Sequence, residues 1–270
     1  MIHKNIFLAL LLMCTCLSHT HKQIIQISIP KSGTYLLSKC ISALTGKKSV
    51  PKEKNQKKVP QLSYTPSIDN FYTMINLPID QFLRCHLYYS KERVDILNDE
   101  KFIKFFIYRD PRDQVVSFAF YMLKEKKIWP KASKMSFDDL LLNIITKSSV
   151  FGDTPPNVKG ITQLYEAYLP WIATKDILTI RFEDLVGEDG DGIRETQVNN
   201  IKKIAVHLGI DLPSEAINSI ADNLFGGTTT FRKGKIGAWK KYFKPEHINA
   251  FKEIAGTLLI DLGYEKDTNW

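Results

Sequence analysis

At 270 residues, 44% hydrophobic and 24% charged, with 14 Gly and 12 Pro, the chain has a globular composition that excludes collagen-like, repeat and disordered classes. Its 37 Lys and Arg against 29 Asp and Glu give a net charge of +8, a field that attracts anions without naming them. One α/β domain around a single sizeable core is the expectation at this length.

The chain opens on Met1-Ile2-His3-Lys4, an apolar run from Ile6 to Leu17 and a polar exit from Ser18 to His21. A short basic start, an apolar stretch too short to span a bilayer and a polar end form a signal-peptide pattern. Residues 1–21 are therefore expected to direct the chain into the secretory pathway or out of the cell, leaving residues 22–270 as the mature domain with no stable membrane span. A cytoplasmic location is the alternative if the segment is not cleaved. Cleavage would remove Cys14 and Cys16. Cys40, in an apolar helical stretch, and Cys85, beside a histidine, are expected as unpaired, partly buried thiols.

Gln23 to Ile29 is a β-branched run bounded by Pro30 and Gly33, which predicts a strand, and Tyr35 to Leu44 predicts a helix that stops at Gly46. Residues 47–60 carry six lysines and two prolines without apolar periodicity and read as a basic surface loop. Phe102 to Tyr108 is a second strand, followed by the polar turn Arg109-Asp110-Pro111-Arg112-Asp113 and a helix over Gln114 to Leu123. Ser136 and Asp139 cap a helix over Phe137 to Ile145, a further helix is predicted over Gly160 to Ala173, and Asp176 to Phe182 is a third strand. Helices over Glu195 to Leu208, Ser214 to Asn223 and Pro245 to Leu262 complete the chain, the last stopped by Gly263. Strands alternating with helices predict a mostly parallel central sheet flanked by helices, with ligands at the carboxyl ends of its strands.

Pro30-Lys31-Ser32-Gly33-Thr34, between a strand and a helix, suits a phosphate: Gly33 allows close backbone approach, the helix N-terminus adds partial positive charge, and Lys31 adds a full one. The loop is P-loop-like but lacks G-x-x-x-x-G-K-[ST], which argues against an ordinary ATPase, GTPase or kinase. Two further segments accompany it: Tyr108 to Phe118, with Arg109 and Ser117 eight residues apart, and Phe231-Arg232-Lys233-Gly234-Lys235-Ile236-Gly237-Ala238-Trp239 near the C-terminus. In this order the three segments resemble the cytosolic-type sulfotransferase family. Weaker matches at Ser136 to Leu140, Arg181 to Leu185 and Leu262 to Tyr264 extend the resemblance over most of residues 23–266.

The resemblance implies a transferase that moves a sulfuryl group from 3′-phosphoadenosine 5′-phosphosulfate to a hydroxyl or amine of a small-molecule or glycan acceptor, with no metal and no nucleic-acid partner. It implies that Lys31, Ser32, Gly33, Thr34 and Tyr35 hold the 5′-phosphosulfate, and that Arg109, Ser117, Arg232, Lys233 and Gly234 hold the 3′-phosphate. Arg84-Cys85-His86-Leu87 resembles the family's K-T-H-L segment, which makes His86 the general base, with Lys31 opposite the leaving oxygen. The chain departs from the family at Thr34-Tyr35-Leu36, where T-T-W would place a Trp on adenine, at Phe182 in place of Tyr, and at Ala238 in place of Asp. A second adenine aromatic falls near Ile220 or Phe225. A non-catalytic binding protein for a 3′,5′-bisphosphate nucleotide is the alternative reading. Acceptor identity and oligomeric state are not legible.

Overall fold

The computed structural model describes residues 22–50, 71, 75–146, 160–227 and 231–270. The signal-like segment 1–21 and the basic loop beyond Val50 lie outside the described residues. Gln23–Ser28 (β1), Lys48–Ser49 (β2), Gln81–Cys85 (β3), Phe102–Tyr108 (β4) and Ile177–Arg181 (β5) form one sheet in the order β2-β3-β1-β4-β5, and each neighbouring pair is parallel. The domain is a single α/β unit, as its sequence implies.

Side-chain alternation along β1 divides the core. Ile25, Ile27 and Ile29 face one helical layer, built from Pro111–Lys124 (α3), Phe137–Thr146 (α4), Gly160–Glu166 (α5) and Pro245–Asp261 (α9). Ile24 faces the other, built from Thr34–Thr45 (α1), Arg194–His207 (α7) and Ser214–Asp222 (α8). Gln26 and Ser28 also point towards α1, fully buried yet satisfied: Gln26 Nε2 donates to the Thr34 carbonyl at 2.7 Å and Ser38 Oγ donates to Gln26 Oε1 at 2.7 Å. These polar pairs seat the N-terminus of α1 on the carboxyl end of the central strand.

α1 follows β1 onto one face of the sheet, while α3 follows β4 onto the opposite face. The chain therefore leaves the neighbouring strands β1 and β4 towards opposite faces of the sheet, and a crevice lies beyond their carboxyl ends, as it does at the switch point of open parallel sheets.

Several boundaries differ from those read in the sequence. β2 and β3 join the three expected strands; β2 is held by main-chain bonds from Lys48 N to the Asp80 carbonyl and from Val50 N to the Phe82 carbonyl, both 2.9 Å. Lys91–Leu97 (α2) is an unforeseen helix capped by Ser90, whose Oγ accepts from Arg93 N at 3.3 Å. The helix expected over Gly160 to Ala173 ends at Glu166, and Leu169–Ala173 is a 3₁₀ turn, because Pro170 has no N–H to continue the ladder. Phe182 leaves its strand and opens a helical turn, Phe182–Leu185 (α6). Cys40 and Cys85 are unpaired and fully buried, and burial pushes each thiol up to about 12.

Candidate active site

The loop after β1 has the strained backbone of an anion cradle. Lys31 is left-handed at φ 67°, and Gly33, which caps α1, is left-handed at φ 94°. A Cβ on Gly33 would lie 2.6 Å from Phe182 Cδ2 and 3.2 Å from Ile107 Cδ1, so a side chain is excluded by space as well as by φ. Gln114 Nε2 of α3 donates to the Pro30 carbonyl at 2.9 Å and ties the loop to the opposite helix.

Arg109, at the carboxyl end of β4, lies with its guanidinium 4.1 Å over the Phe182 ring. Phe182 therefore supports both Gly33 and Arg109; the hydroxyl missing at this position is not required for either contact. Arg109 Nη2 reaches Asp113 Oδ2 at 3.3 Å and donates to the Lys235 carbonyl at 2.6 Å, while its Nε is buried with no acceptor. The Arg109 carbonyl accepts from the buried Tyr165 hydroxyl at 2.8 Å, which fixes the turn from behind.

Asp113 joins this turn to the C-terminal loop. Its carboxylate accepts from Gly237 N at 2.8 Å and Trp239 N at 2.9 Å as well as from Arg109. Burial pushes the Asp113 carboxyl up, against the opposing pull of Arg109 and the two amides. Arg232 stacks on Phe120 at 4.0 Å, and Arg232 and Lys233 both donate to the Tyr242 hydroxyl at 3.4 Å. Gly234 is left-handed at φ 61°, and a Cβ there would meet Phe231 at 2.7 Å.

His86 follows β3 directly. Its Nδ1 lies 2.8 Å from the Ser28 backbone carbonyl and 3.1 Å from Ser28 Oγ, which in turn is 2.9 Å from Thr34 Oγ1. A carbonyl only accepts, so Nδ1 carries a hydrogen, and the lone pair of the neutral ring is then on Nε2. The ring is oriented by the same strand that carries the phosphate loop. Lys31 Nζ lies 4.4 Å over the Tyr121 ring, and its ammonium is pushed down to about 8, first by burial and then by Lys124, Arg109 and Arg232.

Ten of the eleven residues expected in the site, all but Ser32, border one cavity of about 270 Å³. Ser32 is fully buried below the loop, and its N–H donates to the Ile29 carbonyl at 3.2 Å, so neither group is presented to the cavity. Of the two positions near which a second adenine aromatic was expected, Phe225 borders the cavity and packs edge-on against Phe231 at 5.1 Å, and Ile220 does not border it; Leu36 is also in the lining. Asp113 and Arg84 were not expected. An acid four residues after Arg109, in the first turn of the helix that follows it, was the available signal for Asp113. Arg84 stood in the quoted R-C-H-L segment, but its side chain gains meaning only once Tyr35 lies under it.

The site fits a polyanion. The Lys31 ammonium is depressed by burial and then by neighbouring positive charge, the buried Nε of Arg109 lacks an acceptor, and the loop turns at a glycine that has no room for a side chain.

A parallel α/β domain with a cation-lined cavity at the switch of its central strands is thus the class defined by the geometry. The sulfotransferase domain model matches residues 21–263, and the chain belongs to the sulfotransferase family. It is 28% identical over 269 residues to sulfotransferase 6B1 of Mus musculus, covering 90% of this chain and 80% of that one. It is 24% identical over 262 residues to sulfotransferase 6B1 of Danio rerio, covering 87% and 79%. Mouse sulfotransferase SULT7A1, crystallised with PAP, shares the fold at a TM-score of 0.63 and 20% identity, over 90% of this chain and 87% of that one. Retinol dehydratase in complex with androsterone and inactive cofactor PAP shares it at 0.58 and 16% identity, over 92% and 82%.

Proposed function

We propose that the protein transfers a sulfuryl group from 3′-phosphoadenosine 5′-phosphosulfate to a hydroxyl or amine of a small-molecule or glycan acceptor by in-line displacement. The observation that carries this reading is the placement of His86, its Nδ1 fixed on the Ser28 carbonyl, in the same cavity as Lys31 and Arg109. The donor supplies an activated sulfuryl group whose bridging oxygen leaves as an anion. Arg109, Ser117, Arg232, Lys233 and the Gly234 amide hold the 3′-phosphate, which fixes the register of the nucleotide. The loop from Lys31 to Tyr35 holds the 5′ end. His86 Nε2 takes the proton from the acceptor as its oxygen or nitrogen attacks sulfur, and Lys31 stabilises charge on the departing oxygen. Leu36, Phe225 and Phe231 form an apolar slot for the base without the stacking Trp. The signal-like segment 1–21 supports a site of action in the secretory pathway.

The test is transfer of label from a sulfur-labelled donor to a panel of phenols, sterols, flavonoids, glycans and tyrosyl peptides. Label in at least one acceptor supports the proposal. Tight binding of adenosine 3′,5′-bisphosphate with no transfer across the panel would leave a nucleotide-binding protein instead.

A further inference from the structure

The slot proposed for the base is unevenly built. Leu36 stands on α1 in place of a stacking Trp, and Phe225 and Phe231 supply the aromatic surface. Phe231 is 41% exposed and meets Phe225 only edge-on, so the grip on a base depends on where the Phe225 ring is held.

The local chain does little to hold it. α8 closes with Asn223 N on the Ile220 carbonyl and Leu224 N on the Ala221 carbonyl, and Phe225 is followed by Gly226 and Gly227, left-handed at φ 67° and 70°. Two consecutive glycines leave the backbone unusually free. Among the described residues no main-chain amide donates to the Phe225 or Gly226 carbonyl. Lys39 of α1 reaches both instead: its Nζ donates to the Gly226 carbonyl at 3.2 Å and to the Phe225 carbonyl at 3.5 Å. Lys39 is one helical turn on from Leu36 and is half-buried. It does not border the cavity, whereas Phe225 and Gly226 do, so the ammonium approaches the two carbonyls from outside the slot.

We infer that Lys39 is a positioning residue for nucleobase recognition: through the carbonyls of Phe225 and Gly226 it holds the Phe225 ring in the slot, without touching the nucleotide itself. The inference rests on the reading of the cavity as a site for a 3′,5′-bisphosphate nucleotide and not on transfer to any acceptor.

The test is equilibrium binding of two probes, adenosine 3′,5′-bisphosphate and 1-O-methylribose 3,5-bisphosphate, which keeps both phosphates and lacks the base. Lys39→Met keeps the apolar stem and loses the ammonium. It is expected to weaken the nucleotide by about tenfold, the contribution of one charged hydrogen bond, and to leave the base-free compound unchanged. Lys39→Arg is expected to restore most of the nucleotide affinity. In a Phe225→Ala background Lys39→Met should add almost nothing, because it acts through that ring. Melting temperatures establish that the variants fold. Equal losses for both probes in Lys39→Met, or a loss that stays fully additive with Phe225→Ala, would overturn the positioning role. So would a wild type that favours the nucleotide while Lys39→Met binds it as tightly, which sinks the inference alone. A wild type that binds neither probe would sink the nucleotide reading, and the inference with it.

Discussion

Asp113 Oδ2 lies 3.3 Å from Arg109 Nη2, four residues earlier in the chain, and the same carboxylate receives the Gly237 and Trp239 amides from a loop more than a hundred residues later. Arg109 and the loop that carries Gly237 and Trp239 are thereby held by a single buried carboxylate. Asp113→Ala leaves Arg109 and two amides unmet, and a loss of about 3–5 kcal/mol in unfolding free energy is expected, typical of breaking a buried pair. Adenosine 3′,5′-bisphosphate should recover part of that loss by supplying the missing negative charge. Thermal denaturation with and without the nucleotide measures both effects.

Lys31 gives a pH signature. Its ammonium titrates near about 8 in the free protein instead of the ordinary 10.5. A bound polyanion favours the charged form and raises that value. Binding therefore takes up protons from about pH 8 upward, and affinity falls as the free lysine loses its charge. Calorimetry of adenosine 3′,5′-bisphosphate in buffers of different ionisation enthalpy reads the uptake; Lys31→Met should abolish it and lower kcat by about 10²–10³, the range for loss of one charge-stabilising donor.

Gly33 is constrained twice, by φ 94° and by Phe182. Gly33→Ala should cost about 1–3 kcal/mol of stability, the usual range for a strained left-handed residue. It should also weaken nucleotide binding, since the displaced Phe182 ring carries Arg109. Adding Phe182→Leu relieves the clash but not the φ strain, so partial recovery of stability in the double variant is expected on chemical denaturation.

The base slot depends on Phe225, which also braces Phe231 beneath Gly234. Phe225→Ala should weaken adenosine 3′,5′-bisphosphate by about 1–3 kcal/mol, the range for one base stacked on an aromatic ring. Inorganic pyrophosphate, which has no base, should be affected less. Competition calorimetry compares the two.

The elements built from local signals were legible: a β-branched run followed by a glycine turn and an apolar helix marks β1 and α1, and a run of buried aromatics marks β4. β3 was missed because QFLRC mixes polar and apolar residues and is a strand only through its parallel partners, β1 and β2. β2 is two residues long and exists only as a partner of β3. The ten residues that border the cavity could be proposed from motif order, since phosphate-binding loops carry their chemistry in sequence. The spacing of Asp113 from Arg109 hinted at their pairing, but not at Gly237 and Trp239, which meet Asp113 only in the folded chain. Arg84 was in view beside His86, but its contact with Tyr35 exists only once β3 and α1 are packed.

The most direct test compares wild type with His86→Ala in two numbers, the rate of label transfer from the sulfur-labelled donor and the Kd for adenosine 3′,5′-bisphosphate. If His86 Nε2 is the base, transfer should fall by about 10²–10⁴, the usual contribution of a positioned base, while Kd stays within about threefold. Transfer preserved in His86→Ala, or nucleotide affinity lost together with it, would contradict the assignment.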